Sequence, residues 1–319
     1  MKAFGRNAWT AFALGLALGA AALVLAGAAG GRANPMLDVL THLAPLYAVA
    51  GLAALAMSLG APRPVRWLSA GLFAVTASAC ATMMVPEYRR SLGPQAPASA
   101  PNPIKIIQFN GFRGNHRIAD VVDWLIAEQP DIVTIQETRP DLRAAILART
   151  AWSVAGLPSG TLTVFSAKPY QVMNRPKTIG PLHYVNATYA SSSGPFELIT
   201  VHFDWPTSRN HVGQREQLIE MIASRPHDRL ILTGDFNSTP WSYDLRDIDR
   251  RSGLIRRERA MFSYPAGGDA WDPISLPAPV LPIDHVYAGP GWATLSVTRG
   301  PRLGSDHYPV VMMLAPVGR

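Results

Sequence analysis

The residues best placed to do chemistry are a carboxylate and a carboxamide two positions apart, Asp235 and Asn237, in a Gly-Asp-Phe-Asn tetrapeptide that follows an apolar run. Two such groups at the end of a strand share one side of the backbone and can address one ligand. A second pair, Asp306 and His307, precedes another apolar run. Together these residue types suit metal-assisted phosphoester hydrolysis, in which hard oxygen ligands hold a divalent cation and an imidazole contacts the phosphate or the reacting water.

Short apolar runs that predict strands carry polar residues at their ends. Apolar periodicity predicts the following elements. The strands are 104–109, 132–136, 161–166, 184–189, 196–202, 229–233, 283–288, 293–297 and 309–314, and the helices are 116–129, 141–149, 214–223 and 241–249. The polar residues at or near strand ends are Asn110, Glu137, His202, Asp235, Asn237, Asp284, Asp306 and His307. Many strands with few helices predict an α/β domain of two packed sheets with outer helices, whose strand ends meet at one rim.

The first hundred residues have the composition of a membrane region. Apolar stretches at 9–29, 37–59 and 68–85 each approach the roughly 20 residues that cross a bilayer core. Asp38 is the one charged residue in them, and it lies at an edge. The first stretch could instead be a cleaved signal peptide, but two further apolar stretches favour an anchor. We therefore predict three transmembrane helices in 1–90, a Pro/Ala-rich linker at 91–103 and a catalytic domain at 104–319.

Basic residues predict the orientation of this region. Two precede the first apolar stretch and two lie between the second and third, whereas the loop between the first and second holds only Arg32. By the positive-inside rule, the N-terminus and the second loop face the cytoplasm of a bacterial inner membrane, and three crossings put the catalytic domain outside. Arg89 and Arg90 argue against this orientation. The catalytic domain contains no cysteine, which is compatible with an oxidising compartment.

The net charge of +7 is poor support for nucleic-acid binding. Residues 1–100 hold seven of the 29 basic and two of the 22 acidic residues, so the remaining 22 basic and 20 acidic residues leave the catalytic domain at +2. The arginines between 246 and 259 could form a phosphate-facing patch. We favour a solvated helix face balanced by neighbouring acidic residues.

The motifs, taken in order, resemble the endonuclease/exonuclease/phosphatase superfamily, which has the fold of DNase I. The resemblance rests on FN at 109–110, PDIVTIQET at 130–138, TVHFDW at 200–205, GDFN at 234–237, IDHV at 283–286 and GSDH at 304–307. It implies a four-layered α/β/β/α sandwich of two mixed sheets. The apolar front end resembles that of membrane-anchored bacterial members.

The resemblance also implies roles for individual residues. Glu137 would be the principal ligand of Mg²⁺ or Mn²⁺, with Asn110 and Asp306 as partners of the ion. Asp235 would position or deprotonate the attacking water, while Asn237 contacts the phosphate.

Three further residues complete the implied site. His307 would contact the phosphate and Asp284 would orient it, and His202 would contact the phosphate or assist the leaving group. His285, His211, Asn115 and Asp204 could line the pocket or have plain loop roles. Trp205 and Trp241 could flank the substrate or belong to the core.

The implied activity is a metal-dependent hydrolysis of a phosphoester by water, without a covalent protein intermediate. The substrate stays open between a nucleic acid and a phospholipid head group. A catalytically idle, membrane-tethered binding module is a further alternative. The lipid bilayer is an expected partner through the N-terminal helices, and we infer no protein partner.

Overall fold

The structure is a computed structural model that describes residues 2–156, 161–174, 180–267, 276 and 278–317. It divides the chain into two units, Met1–Arg90 with Thr239–Arg246, and Ser91–Ser238 with Asp247–Arg319. Residues 157–160, 175–179, 268–275, 277 and 318–319 of the predicted catalytic domain lie outside the described residues.

The first unit is helical. It contains α1 (Lys2–Gly30), α2 (Pro35–Thr41), α3 (Ala44–Met57) and α4 (Arg63–Arg89). Helices α1, α3 and α4 pack pairwise through small side chains such as Ala17 and Ala54, which allow close backbone approach. By length and composition, Asn7–Gly30 and Arg63–Arg89 could each cross a membrane, and the bent pair α2 and α3 could supply a third span.

The stretch predicted as one continuous helix at 37–59 is broken. Helices α2 and α3 meet at a bend of 56°. Pro45 lies in the first turn of α3, where its missing N–H costs nothing, but it cannot continue a helix that arrives from Thr41. Proline therefore both ends one helix and begins the next.

The segment Thr239–Arg246 belongs to the helical unit, which sequence reasoning did not anticipate. The two carboxylate oxygens of buried Asp38 accept the backbone N–H groups of Tyr243 and Asp244, each at 2.9 Å. Trp241 is fully buried and donates its indole N–H to the carbonyl of His42. Asp38 is therefore a structural acceptor, and Trp241 has a core role.

The second unit contains two six-stranded mixed sheets. The elements that follow α4 are β1 (Ile104–Asn110), α5 (Ile118–Glu128), β2 (Ile132–Gln136), α6 (Pro140–Arg149), β3 (Ser153–Ala155), β4 (Thr163–Ser166), β5 (Val172–Asn174), β6 (His183–Tyr189), β7 (Phe196–His202), α7 (His211–Ala223), β8 (Leu230–Asp235), α8 (Tyr243–Arg251), β9 (Ile255–Arg256), β10 (Asp284–Ala288), β11 (Trp292–Arg299) and β12 (Val310–Pro316). Their order is β11-β12-β1-β2-β4-β3 in one sheet and β5-β6-β7-β8-β10-β9 in the other.

Apolar side chains from both sheets meet in the centre of the sandwich. Ile106 and Met312 of the first sheet belong to one buried cluster with Leu198 and Ile231 of the second. A separate cluster joins the outer face of the first sheet to α5 and α6. The strands are thus apolar on two faces, which explains why they appear in the sequence as short continuous apolar runs.

The segment predicted as a linker takes part in the second unit. Gln95 forms a parallel bridge with Thr294 of β11, and the N–H of Ala96 donates to the Thr294 carbonyl at 2.9 Å. These residues pair alongside the edge strand β11 of the first sheet. Backbone pairing therefore holds part of the Pro/Ala-rich segment in place.

The arginines between 246 and 259 do not form a uniform solvated face. Arg256 is buried between the carboxylates of Asp249 and Glu258, and buried Arg257 donates to the carbonyls of Ala288 and Gly289. Arg250 and Arg251 do match the expectation of a balanced helix face, because both pair with Asp247.

Candidate active site

Strand register places three of the predicted residues side by side. In the second sheet, His202 of β7 lies opposite Asp235 of β8, and Asp235 lies opposite Asp284 of β10. In the first sheet, Asn110 at the end of β1 lies opposite Gln136 of β2, so Glu137 follows at the same edge. Both sheets therefore present polar side chains at one end of the sandwich.

A cavity of about 560 Å³ opens at this end. Its lining includes seven of the eight predicted site residues: Asn110, Glu137, His202, Asp235, Asn237, Asp306 and His307. Asp284 is fully buried and does not line the cavity, but its carboxylate Oδ2 lies 2.7 Å from His307 Nδ1. The structure thus brings all eight predicted residues together: five strand-end residues and two from the loop before β12 line the cavity, and Asp284 lies directly behind His307.

Asp235 is the centre of the hydrogen-bonded cluster. Its Oδ2 accepts from the Asn110 amide at 3.0 Å and lies 3.7 Å from His307 Nε2 and 3.8 Å from His202 Nε2. Its Oδ1 accepts the backbone N–H of Asn237 at 2.9 Å. Burial raises the pKa of Asp235 and outweighs the nearby imidazoles, which lower it. A buried carboxylate with a raised pKa is a suitable general base.

His307 is held as a cation. Burial by itself lowers its pKa, but the carboxylates of Asp284 and Asp235 outweigh burial and raise the pKa to about 10. For Asp284, burial raises the pKa, but the imidazolium of His307 outweighs it and the net shift is downward. An imidazolium beside the cavity can donate a hydrogen bond to a phosphate oxygen and stabilise its charge.

The oxygen-rich side of the cavity fits a hard divalent cation. Glu137, Asp306 and Asn110 supply two carboxylates and an amide, which are the ligand types that Mg²⁺ prefers. Glu137 Oε2 also accepts the backbone N–H of Arg113 at 3.0 Å, which fixes its carboxylate. Asp235, Asp284 and His307 also have ligand atoms within 4.8 Å of one another, but Asp284 does not line the cavity and its carboxylate contacts His307 Nδ1 at 2.7 Å. We assign the first group as the candidate metal site.

Three of the six non-glycine residues with positive φ angles among the described residues lie at the cavity. Phe112, Glu137 and Asn237 all line it and all have positive φ angles, of 56°, 52° and 49°. Such conformations cost non-glycine residues on the order of 1–3 kcal/mol and persist where surrounding contacts enforce them. Glu137 and Asn237 both follow a strand end, so the chain leaves the strand path where these two side chains line the cavity.

Sequence reasoning missed a network of buried, hydrogen-bonded polar side chains next to the site. Gln108 donates to Gln136 at 2.7 Å and to Asp284 at 2.9 Å, and Gln136 donates to Thr200 at 3.0 Å. The signal was present, because polar residues inside otherwise apolar strands require buried partners. Gln108 thereby fixes the carboxylate that holds His307.

Other residues considered from the sequence have different positions. His211 and His285 do not line the cavity, and both contact Ser238 instead. His211 Nε2 lies 3.1 Å from the Ser238 hydroxyl, and His285 Nε2 lies 2.8 Å from the Ser238 carbonyl oxygen. Asn115 is buried and donates to the carbonyl of Leu303. Asp204 and Trp205 do line the cavity, together with Phe112 and Tyr264, which the sequence did not single out.

Comparisons with known proteins agree with this geometry at the level of fold. A structure of an endonuclease/exonuclease/phosphatase from Bacteroides vulgatus has 17% identity and a TM-score of 0.55, covering 68% of this chain and 100% of that one. D. rerio TDP2 complexed with a single-strand DNA product has 16% identity and a TM-score of 0.54, covering 67% and 99%. The Bacteroides thetaiotaomicron mannosyl-6-phosphatase has 15% identity and a TM-score of 0.51, covering 66% and 99%.

The sequence comparisons give the family. No curated protein matches the chain. The profile of the Endonuclease/Exonuclease/phosphatase family, in contrast, matches residues 107–307, which is more than half of the chain and includes every residue of the candidate site. The chain therefore belongs to the endonuclease/exonuclease/phosphatase family, a superfamily of hydrolases that act on phosphoesters.

Proposed function

We propose that the protein is a membrane-anchored, divalent-metal-dependent phosphodiesterase. The observation that carries this proposal is the shared cavity, in which the oxygen ligands Glu137 and Asp306 face the same space as Asp235 and His307. Mg²⁺ or Mn²⁺ held there would neutralise charge on the phosphate as a Lewis acid. The cavity of about 560 Å³ exceeds the size of a phosphate alone, so it accommodates an organic substituent on the phosphate.

The chain's own residues have distinct parts in the proposed reaction. Asp235 orients a water molecule and accepts its proton as the water oxygen attacks phosphorus in line with the leaving oxygen. The His307 imidazolium donates to a non-bridging oxygen, and Asp284 holds that imidazole in place. His202 contacts the phosphate or protonates the leaving group. Water supplies the nucleophile, so no covalent protein intermediate forms.

The central test is the loss of hydrolysis in two variants. With Mg²⁺ or Mn²⁺ and bis-(4-nitrophenyl) phosphate, we expect Glu137→Ala and His307→Ala of the full chain in detergent to lower turnover by roughly 100-fold or more, because each loses transition-state charge stabilisation. Exposed Glu220 and His116 supply matched controls, and Glu220→Ala and His116→Ala should keep wild-type turnover. Unchanged turnover in either site variant would refute the proposal, as would full activity in EDTA.

The apolar helices favour a second candidate substrate, a phospholipid head group. We infer the same hydrolytic chemistry for a nucleic acid and for a phospholipid head group. A panel of substrates is therefore needed to tell which of the two the protein hydrolyses. Hydrolysis of phospholipid vesicles without hydrolysis of plasmid DNA, single-stranded DNA or RNA would favour the lipid. Hydrolysis of a nucleic acid with steep salt dependence would favour the polyanion.

A further inference from the structure

Two buried imidazoles lie next to the candidate active site and have no part in the proposed reaction. His211 is 3% exposed and His285 is fully buried, and neither lines the cavity. Both contact Ser238, the residue that follows Asn237. A buried imidazole is tolerated where its ring nitrogens have hydrogen-bond partners, so those partners show what the ring fixes.

His211 joins two turns that contribute to the cavity wall. The β7 turn is residues 202–205 and the β8 turn is residues 235–238. Nδ1 of His211 lies 2.7 Å from the Asp204 carbonyl oxygen, which can only accept, so Nδ1 carries a proton. In the neutral ring, Nε2 then accepts from the Ser238 hydroxyl at 3.1 Å. One imidazole therefore connects the β7 turn to the β8 turn.

His285 contacts the same serine from β10. Its Nε2 donates to the Ser238 carbonyl oxygen at 2.8 Å, and its Nδ1 lies 2.7 Å from Glu258 Oε1. Glu258 Oε2 accepts the backbone N–H of Val286 at 3.1 Å, so the carboxylate that faces His285 is itself held in place. Ser238 is thus hydrogen-bonded through both its hydroxyl and its carbonyl, which fixes its side chain and its peptide plane.

Asn237 is the cavity residue next to this serine. It has a positive φ of 49° and lines the cavity, so its backbone conformation must be enforced by its surroundings. Its backbone N–H donates to Asp235 Oδ1 at 2.9 Å, and its side-chain Nδ2 donates to the Phe203 carbonyl oxygen at 2.8 Å. The contacts of Ser238 with the two imidazoles support Asn237 on its C-terminal side.

We infer that His211 and His285 are positioning residues, which fix Ser238 and thereby hold the Asn237 carboxamide against the phosphate of the substrate; this rests on the proposed function. Neither imidazole touches the substrate, because neither lines the cavity. A misplacement of about 1 Å can cost about 100-fold in rate, so the two rings affect turnover without a contact to the reacting atoms.

A double-mutant cycle tests whether His211 acts through Asn237. The kcat/KM for bis-(4-nitrophenyl) phosphate is measured with Mg²⁺ on the full chain in detergent. His211→Phe keeps a ring against Phe203. We expect it to lower kcat/KM roughly 10-fold in the wild-type background but less than about 2-fold in the Asn237→Ala background, because the two residues share one network. A merely structural role would give the same factor in both backgrounds and would overturn the inference.

Ser238→Ala tests the same connection with little risk to folding, because it removes one hydroxyl oxygen. We expect a similar loss of roughly 10-fold, and no further loss when it is combined with His211→Phe. Fully multiplicative losses would contradict a connection through this hydroxyl.

A pair of variants tests His285. Glutamine can still donate to the Ser238 carbonyl and leucine cannot, so His285→Gln should retain more of the wild-type kcat/KM than His285→Leu. Equal losses in the two variants would overturn the role of His285.

His227 supplies the matched control. Its half-buried ring contacts a backbone carbonyl oxygen, that of Ile222, at 3.0 Å and does not line the cavity. His227→Phe should therefore keep the kcat/KM of its parent in both backgrounds. Equal factors in an active protein overturn the positioning role alone. A wild-type protein that hydrolyses no phosphodiester overturns the proposed function, and this inference with it.

Discussion

At the scale of single residues, the site depends on how charges are placed in a buried space. Asp235, Asp284 and His307 are each nearly or fully buried, yet each faces a partner of opposite charge. A buried charge is tolerated only when it is paired and hydrogen-bonded. The pairing with Asp284 and Asp235 raises the pKa of His307, whereas burial is what raises the pKa of Asp235.

The raised pKa of His307 predicts a pH-dependent contribution to stability. Its folded-state pKa is raised from 6.5 to about 10, so its stabilising effect is fully present below about 6.5 and is lost as pH rises through about 10. In EDTA, His307→Gln should therefore lower the thermal midpoint of the full chain more at about pH 6 than at about pH 10. The exposed His116→Gln serves as the control. A midpoint difference that grows with pH would contradict the assigned charge.

At the scale of elements, the Gly-Asp-Phe-Asn motif requires its glycine for packing between strands. A Cβ on Gly234, whose φ is +157°, would lie 2.3 Å from the Val201 carbonyl oxygen of β7 and 2.8 Å from Val201 Cγ2. The backbones of β7 and β8 approach closely here, next to the His202 and Asp235 pair. The glycine thus allows two catalytic candidates to lie side by side.

We predict that Gly234→Ala damages both stability and hydrolysis. Relief of the clash must move β8 or β7, which costs about 1–3 kcal/mol. For a unit of this size, that loss lowers the thermal midpoint by roughly 2–4 °C per kcal/mol. Gly194→Ala is the matched control, because Gly194 also has a positive φ, +103°, but nothing lies within 4 Å of its Cβ position. Equal effects of the two substitutions would show that close approach is not the reason for Gly234.

At the scale of the whole molecule, the proposed topology places the catalytic unit outside the cytoplasm. Cys80 is the single cysteine, so Cys80→Ala gives a cysteine-free background for labelling. In bacterial cells with a permeable outer membrane and an intact inner membrane, an impermeant maleimide should label Ser192→Cys, at an exposed position of the catalytic unit. Pro62→Cys, in the exposed turn before α4, should react only after lysis. The reverse pattern would show that Arg89 and Arg90 decide the orientation.

Individual elements show which parts of the fold could be predicted from the sequence. The predicted strands 132–136 and 196–202 agree with β2 and β7 to the residue, because both are rich in apolar and β-branched residues and end in a polar residue. The strands β3, β5 and β9 were missed, since two or three residues carry no periodic signal. Arg256 and Arg257 were expected in solvent, because no local pattern shows which distant oxygens will cover a charge.

The sequence by itself determined the family, the strand ends that carry the candidate site residues and the apolar front of the chain, because these depend on short motifs and local composition. Only the tertiary structure decided that Asp284 contacts the His307 imidazole, that Gln108 donates a hydrogen bond to Asp284, and that the Trp205 ring contacts Tyr264. These contacts join residues far apart in the chain. Their distances follow from strand register and sheet packing, which no local pattern of residues encodes.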